Sequence, residues 1–184
     1  MDDTDLIQRC QSGDAHACAD LYERWCGSVY RLAYGIVRQE QDAEEVMQDV
    51  FVYALSRLGN YDPHKSAFRT WLYTITISRS RNKLRRKRLP TVELNEWSES
   101  EAERGEAARP PEDLAEMQAE RTRVWAALGR LSPKLREAVV LRYFENLTYP
   151  EIGDILQVPV KTIQSRVRLA HKELEKWLVE GGQH

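Results

Sequence analysis

Apolar residues recur along this chain at helical rather than strand spacing. Leu21, Trp25, Val29, Leu32 and Ile36 are separated by four, four, three and four residues, which places them on one face of a helix. A second helix is predicted from near Asp42, with Val46, Val50, Ala54 and Leu58 as its stripe and Met47, Phe51 and Leu55 widening it. Gly59 and Pro63 in GNYDPHK (59–65) break that pattern. A third helix is expected from about Ser66, carrying Phe68, Trp71, Leu72 and Ile75 into a strongly basic run. These three would form an all-α bundle of roughly 90 residues.

The periodicity then stops. Residues 90–113 contain Pro90, Pro110 and Pro111, many Glu, and few large apolar side chains, a composition expected to stay disordered in isolation. Helical signals resume further on. Leu128 and Leu131 close one helix, and Ser132-Pro133 offers an N-cap followed by proline at the first helical position, opening PKLREAVVLRYFENL. Thr148 with Glu151 forms a capping box ahead of YPEIGDIL. After Gln157-Val158-Pro159 comes VKTIQSRVRLAHKELEKWL, so the layout is a helix-turn-helix. Its small core would be Ile152, Ile155, Leu156, Val160, Ile163 and Val167. The predicted fold class is all-α: two small helical domains, residues 1–89 and 120–180, joined by a flexible acidic linker at 90–119, with the helix-turn-helix in the second.

Charge sharpens this division. The net charge of −2 over 184 residues hides three unlike blocks. Residues 1–92 carry +2, residues 93–120 carry −8 and residues 121–184 carry +4. The run Arg79 to Arg88 holds seven Lys/Arg and no acid, more than a helix C-terminal dipole requires, and reads as a surface for a phosphate backbone.

Several classes are disfavoured. No run approaches the ~20 apolar residues of a membrane span, and MDDTD is too acidic for a signal peptide, so a soluble cytoplasmic protein is expected. His16, His64, His171 and His184 are scattered, and no Gly-rich phosphate loop or acid pair suggests catalysis. No enzyme activity, cofactor or metal is expected. Cys10, Cys18 and Cys26 lie eight residues apart without a CxxC. Cys18 and Cys26 on one helix would be separated by about 12 Å of rise, too far for a disulfide. The trio reads as packed structural cysteine rather than as an oxidation sensor.

Four groups of residues carry candidate chemistry. In the second helix of the helix-turn-helix, Lys161, Thr162, Gln164, Ser165, Arg166 and Arg168 are the polar residues of the half that enters a major groove. Gln can bind adenine through two hydrogen bonds and Arg can do so to guanine. The basic run is the second group. The third comprises Tyr61, Phe68, Trp71 and Tyr73, aromatics beside a basic surface of the kind that holds single-stranded nucleic acid, although Phe68 and Trp71 also fit core positions. In the fourth, DAEEVMQDVF (42–51) places Asp42, Glu45 and Asp49 along one helix face with Gln48 and Val52 beside them. That face is either simply solvated or a dock for a basic partner.

The ordered set DAEEVMQDVF, FRTWLYTI, the basic run and ALGRLSPKLREAVVLRYFENLTYPEIGDILQVPVKTIQSRVRLAHKEL resembles a bacterial RNA polymerase sigma factor. The type is the small extracytoplasmic-function (ECF) class with only conserved regions 2 and 4. The match covers roughly residues 14–89 and 120–178. The resemblance implies docking on a coiled coil of the largest polymerase subunit through Glu45, Gln48 and Asp49, with Asp42 nearby; the family more often has Asp at position 45. It implies that the minus-ten element is read as melted single strand by the loop Asn60 to Ala67 and the helix after it, with Asn60, Tyr61, Phe68, Trp71, Arg79, Asn82, Lys83 and Arg86 as the contacting residues. Trp71 is followed by Leu72, where primary sigma factors pair two Trp. Ser78 and Asn82 replace the family's usual Asn and Asp.

In region 4 the resemblance implies that the minus-thirty-five element is read by Gln164, Ser165 and Arg168, with Thr162 alongside and Lys161 and Arg166 on phosphates. Lys161 stands where a Gly is frequent and Gln164 where a cation is. Region 4 would also dock on the polymerase flap. The acidic linker would thread the RNA exit channel, either mimicking RNA phosphates or serving as a soluble spacer. An anti-sigma factor, possibly membrane-anchored, is an expected partner, and stress response the expected setting. The rival readings are an autonomous helix-turn-helix regulator and a polymerase-binding adaptor that reads no promoter.

Overall fold

The computed structural model describes residues 2–88 and 122–180, and among them every regular element is helical. Helix α1 (Asp3–Gln11) leads through a tight turn into α2 (Ala15–Val37). The Asp14 carboxylate accepts from the amides of His16 and Ala17 and so starts α2. Arg38, in the left-handed conformation (φ 63°), ends it. Helix α3 (Glu40–Arg57) runs into a 3₁₀ turn (Leu58–Asn60), and α4 (Phe68–Arg88) follows the predicted break. After the undescribed stretch come α5 (122–130), α6 (Pro133–Val139), a π-helical turn (Val140–Phe144), α7 (Tyr149–Leu156) and α8 (Val160–Glu180). The predicted linker lies outside the described residues.

The local start signals act largely as the sequence suggests. Thr148 and Glu151 form the reciprocal capping box that opens α7. Pro133 takes the first position of α6, but the Ser132 side chain makes no capping bond; its carbonyl accepts from Leu135 and Arg136 instead. The helix expected over PKLREAVVLRYFENL is regular only to Val139 before it loosens into the π turn.

Two of the apolar expectations need correcting. Val160 is 37% exposed at the first position of α8, and the core role falls to Ile163 one turn later. Leu55, also 37% exposed, faces outward while Phe51 is buried. The cysteine reading needs correcting too. Cys10 on α1 and Cys18 on α2 are bonded to each other, their Cα atoms 4.9 Å apart across the α1–α2 turn, and Cys26 alone is a free thiol. The distance along a single helix excluded Cys18–Cys26 but said nothing about a neighbouring helix folded back on it.

The core forms three clusters, and one of them is shared by the two predicted units. One cluster joins Leu6, Leu21, Val29, Val46, Val50, Phe51 and Leu72. A second takes Leu32 and Ile36 from α2 and Tyr73 and Ile77 from α4, and packs them against Leu141, Leu147, Ile152, Ile155, Ile163 and Val167. A third cluster, with Leu128, Leu131, Leu135, Val139 and Ala170, ties α5 and α6 to α8. Each of α2 and α4 therefore has apolar residues on two sides, one inside its own bundle and one against the C-terminal unit.

Gly35 shows how close this second contact is. A Cβ at Gly35 would sit 2.7 Å from Val140 Cγ1, and Val140 is fully buried. Gly35→Ala is therefore expected to cost about 1–3 kcal/mol through overpacking, read as a lowered chemical-denaturation midpoint. Gly35→Ala combined with Val140→Ala should recover most of that loss.

Candidate polymerase and promoter interfaces

On α3, Glu45, Gln48 and Asp49 form an exposed row. Asp42 does not join it. It is 5% exposed and faces α4, where its carboxylate is 3.4 Å from Lys83 Nζ and is also paired with Lys87. Lys83 bridges further to Glu45, and this contact holds the Lys83 ammonium above its usual range. Lys87 also donates to Gln39. Val52, 73% exposed, continues the outward row one turn beyond Gln48 and Asp49.

The aromatic group sorts by burial. Tyr61 and Phe68 are 8% and 7% exposed, with ring centroids 5.5 Å apart, and the Tyr61 hydroxyl donates to the Ser66 carbonyl. Both rings therefore brace the loop 60–67 from beneath. Trp71 is half-buried, 5.2 Å from the Tyr61 ring, while Asn60 is exposed. Tyr73 points the opposite way, into the second core cluster.

The basic run on α4 does not present one uniform surface. Arg79 lies over the Tyr53 ring at 4.6 Å, and Lys83 and Lys87 serve α3. Arg81 makes a two-pronged bond of 2.7 Å and 2.7 Å to Glu137 on α6. Arg85 and Arg86 are exposed and Asn82 is half-buried. On α8, Lys161, Gln164, Ser165 and Arg168 are exposed in a row, with Thr162 and Arg166 half-buried beside them. Ile163 and Val167, buried on the opposite side, set that orientation.

Sequence reasoning missed the polar ties that close α4 against the C-terminal unit. Besides Arg81–Glu137, Arg69 on α4 pairs with Glu151 at 3.1 Å, and the Tyr73 hydroxyl donates to Glu145. Arg136 is 8% exposed and donates to the carbonyls of Leu128 (2.9 Å), Gly129 (2.7 Å), Leu131 (3.0 Å) and, on α2, Ile36 (2.7 Å). Arg38 stacks between Tyr34 and Trp125, 4.7 Å from each ring centroid. The only sequence signal was polar residues such as Arg136 and Glu137 inside an apolar run, and that does not name their partners.

Burial pushes the Glu145 carboxyl above its usual range, partly countered by the Tyr73 hydroxyl. The folded state therefore holds a proton more tightly than the unfolded chain. This favours folding below the ordinary carboxylate range and is lost as pH rises through the folded value. Glu145→Gln keeps an acceptor for Tyr73 and removes the buried charge. It is expected to raise the melting temperature at pH 7 by about 2–4 °C, with the difference shrinking toward pH 4 in thermal scans.

Among the described residues, no cluster of His, Cys, Asp and Glu is placed to hold a metal, and no helix is long and apolar enough to cross a membrane. An exposed polar row on α3, a basic α4 beside an aromatic loop and a helix-turn-helix lie in one chain in that order. The Sigma-70 region 2 family model matches residues 21–89, and the Sigma-70 region 4 model matches residues 121–174. The chain therefore belongs to the Sigma-70 RNA polymerase sigma factors, and within them to the ECF type. It is 34% identical to the RNA polymerase sigma-H factor of Pseudomonas aeruginosa over 96% of this chain and 93% of that protein. It is 31% identical to the ECF RNA polymerase sigma-E factor of Escherichia coli K12 over 95% and 93%. Among solved structures, CnrH in complex with the cytosolic domain of CnrY superposes with a TM-score of 0.71 at 26% identity, covering 97% of each chain. The protein is a transcription initiation factor that directs RNA polymerase to promoters.

Proposed function

We propose that this factor divides promoter recognition as its surfaces divide. Residues 1–89 dock on core polymerase through Glu45, Gln48 and Asp49, with Asp42 holding α4 against α3 behind them. The same unit takes the melted minus-ten strand on the loop from Asn60 and along α4, where Trp71, Arg79, Asn82, Lys83 and Arg86 lie. Tyr61 and Phe68 support that loop from beneath. Residues 120–180 read the minus-thirty-five duplex with Gln164, Ser165 and Arg168 at base edges and Lys161, Thr162 and Arg166 toward the backbone. Residues 90–119 span the two. The polymerase carries the chemistry, the factor works in the cytoplasm, and a protein antagonist acts on it as the CnrY domain binds CnrH.

The row Lys161, Gln164, Ser165, Arg168, exposed on one side of α8 over a buried Ile163–Val167 side, carries this reading. Run-off transcription with purified core polymerase on a pool of promoter fragments tests it. Transcripts that appear only with this protein support it, and Gln164→Ala should relax preference at a single upstream base by about 1–3 kcal/mol. Stable duplex binding without any transcript would favour the autonomous regulator.

A further inference from the structure

Promoter recognition leaves one piece of chemistry in this chain unused. Cys10 sits in the last turn of α1 and Cys18 in the first turn of α2, and the fold bonds their sulfurs. The helices also meet without that bond. Leu6 and Ile7 are buried against the bundle, Asp14 holds Arg9 at 2.7 Å, Asp3 holds Arg24 at 2.8 Å, and Gln11 donates to the Leu58 carbonyl at 2.9 Å. None of these contacts depends on the disulfide. Where RNA polymerase works, thiol buffers keep permanent disulfides rare, and the ones that form there act reversibly.

Helix α1 has a second job. Ile7, Gln8 and Gln11 form one wall of a cleft of about 560 Å³, and Tyr61, Phe68 and Arg69 form part of the other. That second wall is the underside of the loop and helix start proposed to take the minus-ten strand, the side on which Tyr61 and Phe68 brace it. The bond between α1 and α2 therefore fixes the position of a wall of this cleft.

We infer that Cys10 and Cys18 are a reversible dithiol–disulfide site whose oxidation by a hydroperoxide locks α1 as a wall of the cleft, steadies the minus-ten loop from beneath and so tightens the hold on single-stranded promoter DNA. The inference rests on the minus-ten reading of that loop. Cys18 is half-buried and Cys10 only 9% exposed, so Cys18 is the sulfur a reagent meets first. Its thiolate attacks a peroxide oxygen, the O–O bond breaks, and a sulfenic acid and, after protonation, one water (or alcohol) result. The Cys10 thiolate then attacks the sulfenic sulfur, the S–S bond forms, and the S–O bond breaks to release a second water. Two thiols lose two electrons and the peroxide gains them. A dithiol reductant reverses the step by exchange. In the reduced protein α1 keeps its contacts but moves more, and DNA binding must order it; the disulfide removes that cost beforehand.

The test uses the full chain carrying Cys26→Ser, which leaves Cys10 and Cys18 as the only thiols. Samples treated with hydrogen peroxide or with dithiothreitol are alkylated, and the linked peptide is identified by mass spectrometry. The same samples, assembled with core polymerase, are titrated with a single-stranded minus-ten oligonucleotide. The expected result is a Cys10–Cys18 linkage and about fivefold to tenfold tighter oligonucleotide binding when oxidised. Affinity for core polymerase should not change. Adding Cys10→Ser and Cys18→Ser should hold binding at the reduced value under both reagents. Failure to form the linkage, or equal binding by both forms, overturns the inference. If neither form binds the oligonucleotide base-specifically, the minus-ten reading fails instead. Hydrogen exchange then decides the switch: slower exchange in α1 and residues 60–67 on oxidation supports it, and identical exchange overturns it.

Discussion

Arg136→Met is expected to destabilise the protein by about 3–5 kcal/mol, a large share of the stability of a chain this size. The guanidinium accounts for four carbonyls: three at the end of α5 and the following turn, and one at the end of α2. Methionine fills similar volume, so the loss isolates the charge-assisted bonds and the carbonyls left buried without them. Because Ile36 belongs to the first family region and Leu128 to the second, the substitution acts on both at once. A single cooperative transition shifted to lower denaturant is the expected observation. Two separated transitions, with only the C-terminal one affected, would show that Arg136 serves its own unit alone.

The second large effect concerns polymerase docking. Glu45→Lys together with Asp49→Lys is expected to weaken binding to core polymerase by about 100-fold, since two attractive contacts of the proposed docking would become repulsive. Both side chains are exposed, so the melting temperature of the free protein should change little. Glu45 also meets Lys83, which makes Asp49→Lys alone the cleaner control. Binding of duplex promoter DNA through α8 should be retained. Undiminished polymerase affinity in a pull-down or fluorescence titration would remove α3 from the interface.

These two cases differ in how far the sequence revealed them. The α3 row was legible because exposed Glu45, Gln48 and Asp49 alternate with buried Val46 and Val50 at helical spacing, a property of one segment. Arg136 was not legible, because its partners are backbone carbonyls, one of them a hundred residues away. A carbonyl has no sequence signature. The same limit explains Asp42, which shares the acidic segment with Glu45 and Asp49 but turns toward Lys83 and Lys87 on α4. It explains the cysteines as well: spacing along a helix excluded one pair, while the bonded pair depends on how α1 folds back on α2.

By itself the sequence determined most of the helices, though not α1 or the π turn after Val139, their breaks at Gly59–Pro63 and Ser132–Pro133, the capping box at Thr148, and the family with its promoter-directing role. All of these reside in local spacing and in ordered motifs. Tertiary structure decided which way each face turned. Leu32, Ile36, Tyr73 and Ile77 are ordinary members of helical apolar patterns, yet they pack against Leu141, Ile152 and Ile163 in a cluster shared by the two predicted units. It also decided that much of the basic run is taken up by Asp42, Glu45 and Glu137. Burial of apolar area has no direction, so a periodic stripe shows that a surface will be covered without saying by what.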